Sequence, residues 1–128
     1  MPLLSEGASI VFTVGIAATR GAAGGSVGAA SRGALLAMVP SLALELAPRR
    51  IRVNAVSPGP IATPIWAKTG MPAEMLSQVT ETVAAGVPLR RLGTAREVAE
   101  VVAFLASDAA GYVTGENLVV GGGSGLAF

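Results

Sequence analysis

Residues 51–64 read IRVNAVSPGPIATP. Ile51, Val53, Ala55 and Val56 make a short, mostly apolar and β-branched run. It is bounded by Pro48-Arg49-Arg50 on one side and by Ser57-Pro58-Gly59-Pro60 on the other. A run of this length between such breakers predicts a buried strand that ends abruptly in a rigid loop. Pro58, Pro60 and Pro64 fix backbone angles and remove N–H donors, and Gly59 permits a tight turn. Open α/β sheets place ligands at the carboxyl ends of their strands, so this loop is the first candidate for a site. The alternative is an ordinary tight connection.

Working outward, Ala8 to Val14 (ASIVFTV) reads as a second buried strand closed by Gly15. Gly15 to Gly28 is rich in glycine and alanine, which predicts a loop. A helix is expected from about Val27 to Ala47. Its apolar residues lie on every face, so it should be covered on both sides, by the sheet and by a second subunit. Pro40 should kink it and Pro48 should stop it. Beyond the central strand, Pro72 opens a helix carrying Met75, Leu76, Val79 and Val83. Gly86 to Gly93 is a turn-rich link. Thr94 and Glu97 form a T-x-x-E capping box, behind which Val98, Val101, Val102 and Leu105 repeat at helical spacing to about Ser107. Asn117 to Val120 reads as a third strand, followed by a glycine-rich, flexible end. Right-handed crossovers then give an α/β fold with a three-stranded parallel sheet.

Composition narrows the function. The 128 residues suit one domain, residues 1–128, and 52% hydrophobic content with a mean hydropathy of +0.63 argues against disorder. A net charge of +1, with scattered arginines and the lone lysine Lys68, gives no basis for nucleic-acid binding or for an anionic membrane surface. The chain has no cysteine and no histidine. No disulfide frame is therefore possible, no zinc or transition-metal site is expected, and the usual general base at neutral pH is missing. The N-terminus lacks the pattern of a secretory signal, and Gly33 to Ala47 is too short and too polar for a spanning helix. The expectation is a soluble, cytoplasmic protein.

Three segments carry a resemblance. SLALELAPRRIRVNAVSPGPIATP (Ser41 to Pro64), PLRRLGTAREVAEVVAFLASDAAGYVTG (Pro88 to Gly115) and LVVGGG (Leu118 to Gly123) resemble the C-terminal half of a short-chain dehydrogenase/reductase. The resemblance runs from Gly7 to Gly122. It implies a partial Rossmann-like, doubly wound fold made of the family's fifth, sixth and seventh strands, without the N-terminal half that binds the dinucleotide. It also implies hydride transfer between NAD or NADP and an alcohol or carbonyl. In the family a tyrosine exchanges the proton, a lysine four residues later lowers its pKa, and a serine steadies the substrate oxygen.

By position, Gly15 stands at the serine, Gly28 at the tyrosine and Arg32 at the lysine. Glycine has no side-chain proton to exchange, and a guanidinium does not release one. Tyr112, the chain's only tyrosine, lies in GYVTG, where the family uses it for packing. The loop after the central strand is intact: Pro58, Gly59 and Ile61 would lie near a nicotinamide, with the Ile61 backbone and the Thr63 hydroxyl meeting its carboxamide. Without the glycine-rich turn that cradles the pyrophosphate, binding of NAD or NADP should be weak or absent. The loop Gly15 to Gly28 matches neither G-x-G-x-x-G nor G-x-x-x-x-G-K-[ST], so it gives little support for an independent phosphate site.

These departures imply a catalytically silent chain. Its first strand would form an unpaired sheet edge, which favours a homo-oligomer or a complex with a complementary N-terminal half. Two other readings follow from the same residues. One is an oxidoreductase subunit completed by another chain, and the other is an unrelated, cofactor-independent activity in the residual pocket. Trp66, Met71, Met75 and Leu76 would form an apolar cover over that pocket.

Overall fold

The computed structural model describes residues 3–126. The elements run β1 (Ser9–Thr13), α1 (Ser26–Leu46), β2 (Arg52–Pro58), β3 (Ile61–Ala62), α2 (Ala73–Gly86), β4 (Gly93–Thr94), α3 (Ala95–Ala106) and β5 (Asn117–Val120). Strands β1, β2 and β5 form a parallel sheet with β2 in the centre. Ile10 pairs with Val53 and Phe12 with Ala55 on one side, and Val56 pairs with Leu118 on the other.

Strand β2 is central because both its faces are apolar or internally satisfied. Val53 and Ala55 pack with Val39, Ala43 and Leu46 of α1. Val56, one residue out of phase, packs with Leu105 of α3 and with Ala110. Alternate side chains of a strand point to opposite faces, so one short run anchors a helix on each side of the sheet. Asn54 shares the α3 side and is fully buried. Its amide N–H donates to the Val113 carbonyl (2.9 Å), and its side-chain oxygen accepts from the Glu116 N–H (3.0 Å). The Thr114 hydroxyl accepts from the Val53 N–H at 3.0 Å. These bonds set the path into β5 from residues on β2.

Helix α1 covers only one face of itself with protein. Val39, Ala43 and Leu46 are buried, whereas Leu35, Met38 and Leu44 are exposed, Leu44 at 79%. The helix passes through Pro40 as one element. Pro40 is exposed, so the carbonyl one turn back that loses its partner can turn to water. By length and composition alone Ser26–Arg49 would suffice to cross a bilayer, which corrects the shorter estimate of Gly33 to Ala47. Its buried stripe lies against β2.

The capping box at α3 is complete. The Glu97 N–H donates to the Thr94 hydroxyl (3.2 Å), and the Thr94 N–H donates to the Glu97 carboxylate (2.7 Å). Arg91 adds an ion pair to the same carboxylate. The Arg91 guanidinium, together with the Thr94 N–H and hydroxyl, pulls the Glu97 carboxyl down to about 2. A depressed folded pKa adds stability that is present above the unfolded value of about 4.5 and is lost as pH falls toward about 2. Glu97→Gln should therefore unfold more readily than the parent at about pH 6, with the gap closing by about pH 2. Urea unfolding along that pH series measures it, and a gap that stays constant would refute the assignment.

The glycine-rich C-terminal stretch, expected to be flexible, is folded. The Ser124 N–H donates to the Gly121 carbonyl, the Leu126 N–H to Gly123, and the Leu89 N–H to Gly122. Positive φ at Gly122 (+59°) and Gly123 (+85°) makes these successive turns possible.

Candidate functional site

Strand β2 delivers Pro58 to the carboxyl edge of the sheet, and three ties hold the loop that follows. The Gly59 N–H donates to the Val120 carbonyl (2.9 Å), and the Gly93 N–H donates to the Pro60 carbonyl (3.0 Å). The Trp66 indole N–H donates to the Ile61 carbonyl at 2.7 Å. Strands β3 and β4 continue the hold, pairing Ile61 with Gly93 and Ala62 with Thr94. Sequence reading missed this small parallel pair, because two-residue strands carry no periodicity. Gly59 is dictated by close approach: a Cβ there would lie 2.7 Å from the Cα of Gly121, backbone against backbone.

Across from this loop, the Val14 N–H donates to the Val56 carbonyl (2.8 Å). The chain then turns at Gly15 with φ +107° into a single 3-10 turn, Ile16–Ala18. Helix α1 begins at Ser26. Between the two sides lies a cavity of about 640 Å³. Gly15, Gly28 and Arg32 line it from one side, and Pro58, Gly59, Ile61 and Thr63 from the other. All seven sequence-derived site positions thus meet at one place. Val14, Ile16, Ile65, Trp66 and Val98 make its walls largely apolar, and Thr13 and Thr63 contribute the hydroxyl-bearing side chains.

Arg32 is the sole charged residue on those walls. It is half-buried, and its Nη1 donates to the Gly28 carbonyl at 3.1 Å. A Cβ built on Gly28 would lie 2.8 Å from that Nη1, and one on Gly15 would lie 3.6 Å from the Arg32 Cδ and Nε. The arginine tip therefore occupies the space of a Cβ at 28 and lies in ordinary contact with one at 15. A serine at 15 would also have to adopt a positive φ that non-glycine residues rarely tolerate, a strain of roughly 1–3 kcal/mol.

Tyr112 is fully exposed and lies outside the cavity lining. Of the expected apolar cover, Trp66 lines the cavity, together with Ile65, which sequence reading did not single out. Met71 and Met75 are exposed, and neither they nor Leu76 belong to the lining. The cavity therefore offers one fixed cation, two threonine hydroxyls and apolar surface. No carboxylate and no tyrosine lines it.

A family profile described as enoyl-(acyl carrier protein) reductase matches residues 1–125. The chain is also 42% identical, over 118 residues, to the human dehydrogenase/reductase SDR family member 4. The chain belongs to the short-chain dehydrogenase/reductase family. The alignment with the human protein covers 92% of this chain and 41% of that protein. Among solved structures, the ligand-free aldohexose dehydrogenase of Thermoplasma acidophilum superposes with a TM-score of 0.87 at 33% identity, over 94% of this chain and 49% of that one. A blue fluorescent protein from a metagenomic library, solved in complex with NADPH, superposes with a TM-score of 0.85 at 37% identity, over 97% of this chain and 48% of that one. The chain thus spans less than half the length of each of these short-chain dehydrogenase/reductase relatives.

Proposed function

We propose that this short-chain dehydrogenase/reductase chain is catalytically silent toward alcohols and carbonyls on its own, and that it is a soluble, cytoplasmic, self-associating protein. One observation carries the reading: at the position of the family's proton-exchanging tyrosine, the helix presents Gly28 with the Arg32 guanidinium laid against it. Hydride transfer to a carbonyl leaves an alkoxide that must receive a proton, and neither a guanidinium nor a threonine hydroxyl supplies one efficiently near neutral pH. Binding of NAD or NADP through Pro58, Gly59, Ile61 and Thr63 is weak or absent in this reading. The loop is ordered by its own ties, and the three described sheet strands include no glycine-rich pyrophosphate turn.

Self-association is supported by the outer edge of β1, which among the described residues pairs with β2 alone, and by the exposed Leu35, Met38 and Leu44 on α1. Light scattering behind size exclusion should return an oligomer, and a stable monomer at micromolar concentration would count against it. Titration with NADPH followed by fluorescence should give no saturation, and ketone reduction with NADH or NADPH should equal the buffer blank. Clear micromolar binding or enzyme-dependent turnover would overturn the silent reading.

A second reading is an NAD(P)-dependent oxidoreductase subunit completed by another chain. The same open β1 edge favours it, since a neighbouring strand could pair there. It predicts co-purification with a protein that carries a glycine-rich turn after a first strand, and turnover only in the mixture.

A further inference from the structure

The geometry points to the 640 Å³ cavity as a binding site for a small amphipathic carboxylate, with its anionic head on Arg32 and its tail against Ile16, Ile65, Trp66 and Val98. A half-buried guanidinium beside apolar walls gains most from a planar anion it can grip with two N–H groups. No acidic side chain lines the cavity to provide that anion from within. Among the described residues the guanidinium spends a donor only on the Gly28 carbonyl, which leaves Nε and Nη2 free. Glycine at 15 and at 28 keeps the approach to those donors open, since a side chain at either position would project toward the guanidinium.

The volume lies within the roughly 300–1,000 Å³ usual for small-ligand pockets. A single cation in an apolar chamber matches a monovalent head on a hydrocarbon body. A phosphate dianion would leave one of its charges without a partner there. The inference goes beyond the silent-dehydrogenase reading and does not depend on it, because it is tested with no nicotinamide present.

The test is a titration of the isotope-labelled chain with hexanoate, 1-hexanol and inorganic phosphate, followed through its backbone amide resonances. Hexanoate should shift the amides of Gly15, Gly28 and Gly59 saturably and bind on the order of tenfold more tightly than 1-hexanol, the ratio expected of one charge-assisted contact. Arg32→Met should bring hexanoate down to the level of hexanol, and Arg32→Lys should retain part of the difference. The site is refuted if Arg32→Met binds hexanoate as tightly as the parent, if acid and alcohol bind alike, or if the shifts lie outside the cavity. Tighter binding of phosphate than of hexanoate would overturn the choice of carboxylate. If Arg32→Met does not fold, the comparison of acid with alcohol on the unaltered chain still decides.

Discussion

Asn54→Ala should lose about 2–3 kcal/mol of folding stability, since one part-buried backbone N–H loses its partner at roughly 1–3 kcal/mol and a carbonyl loses the better of its two donors. Asn54 is fully buried on β2. Its removal takes the partner from the Glu116 N–H and leaves the Val113 carbonyl with the longer bond from the Arg52 guanidinium (3.4 Å), on either side of the turn leading into β5. The loss should show as a lower urea midpoint with an unchanged slope, because the extent of surface exposed on unfolding stays the same. Asn54→Asp keeps the acceptor for Glu116 but replaces the donor to Val113 with a buried charge, so it should be no better tolerated. A midpoint within experimental error of the parent for Asn54→Ala would mean that the entry to β5 is held by other bonds.

Gly59→Ala is the second large effect, at about 2 kcal/mol, within the range typical of overpacking. The new methyl group would stand 2.7 Å from the Gly121 Cα, and neither backbone can swing aside as a side-chain tip would. To make room, the loop must leave the Val120 carbonyl that now accepts the Gly59 N–H, so the cavity wall should shift with it. Gly28→Ala is the informative contrast. The nearest atom to its new Cβ is the flexible tip of Arg32, and alanine in the first turn of α1 should be neutral or stabilising by about 0.5 kcal/mol. Thermal unfolding of the two variants side by side separates a glycine required by packing from one that is merely present. Equal losses would contradict the geometry.

Much of this architecture was readable in the chain. The run from Ile51 to Val56 announces a buried strand because breakers flank it. The pair Thr94 and Glu97 announces the start of α3 because its geometry is local. The site positions meet because Gly15, Pro58, Gly59, Ile61 and Thr63 lie at or just past strand ends, which a parallel sheet collects along one edge, and Gly28 and Arg32 stand in the first turns of the helix that follows β1. The parts that escaped are long-range. Nothing near Ile61 says that Gly93 will pair with it, and nothing near Gly122 says that Leu89 will donate to it. The contact between Arg32 and the spaces at Gly15 and Gly28 was equally hidden, since residue identity gives substitution but not where a long side chain comes to rest. The cover of α1 by the sheet, expected from its apolar composition, is present, and the side expected against a second subunit is exposed in the single chain.

The φ of +107° at Gly15 makes change at this pocket directional. Moving away from a serine there relaxes the backbone into a conformation that only glycine holds easily. A serine there carries a strain of roughly 1–3 kcal/mol unless the turn into Ile16–Ala18 shifts. On the silent reading proposed above, a library that places tyrosine at 28 and lysine at 32 should therefore gain little unless it also remodels this bend.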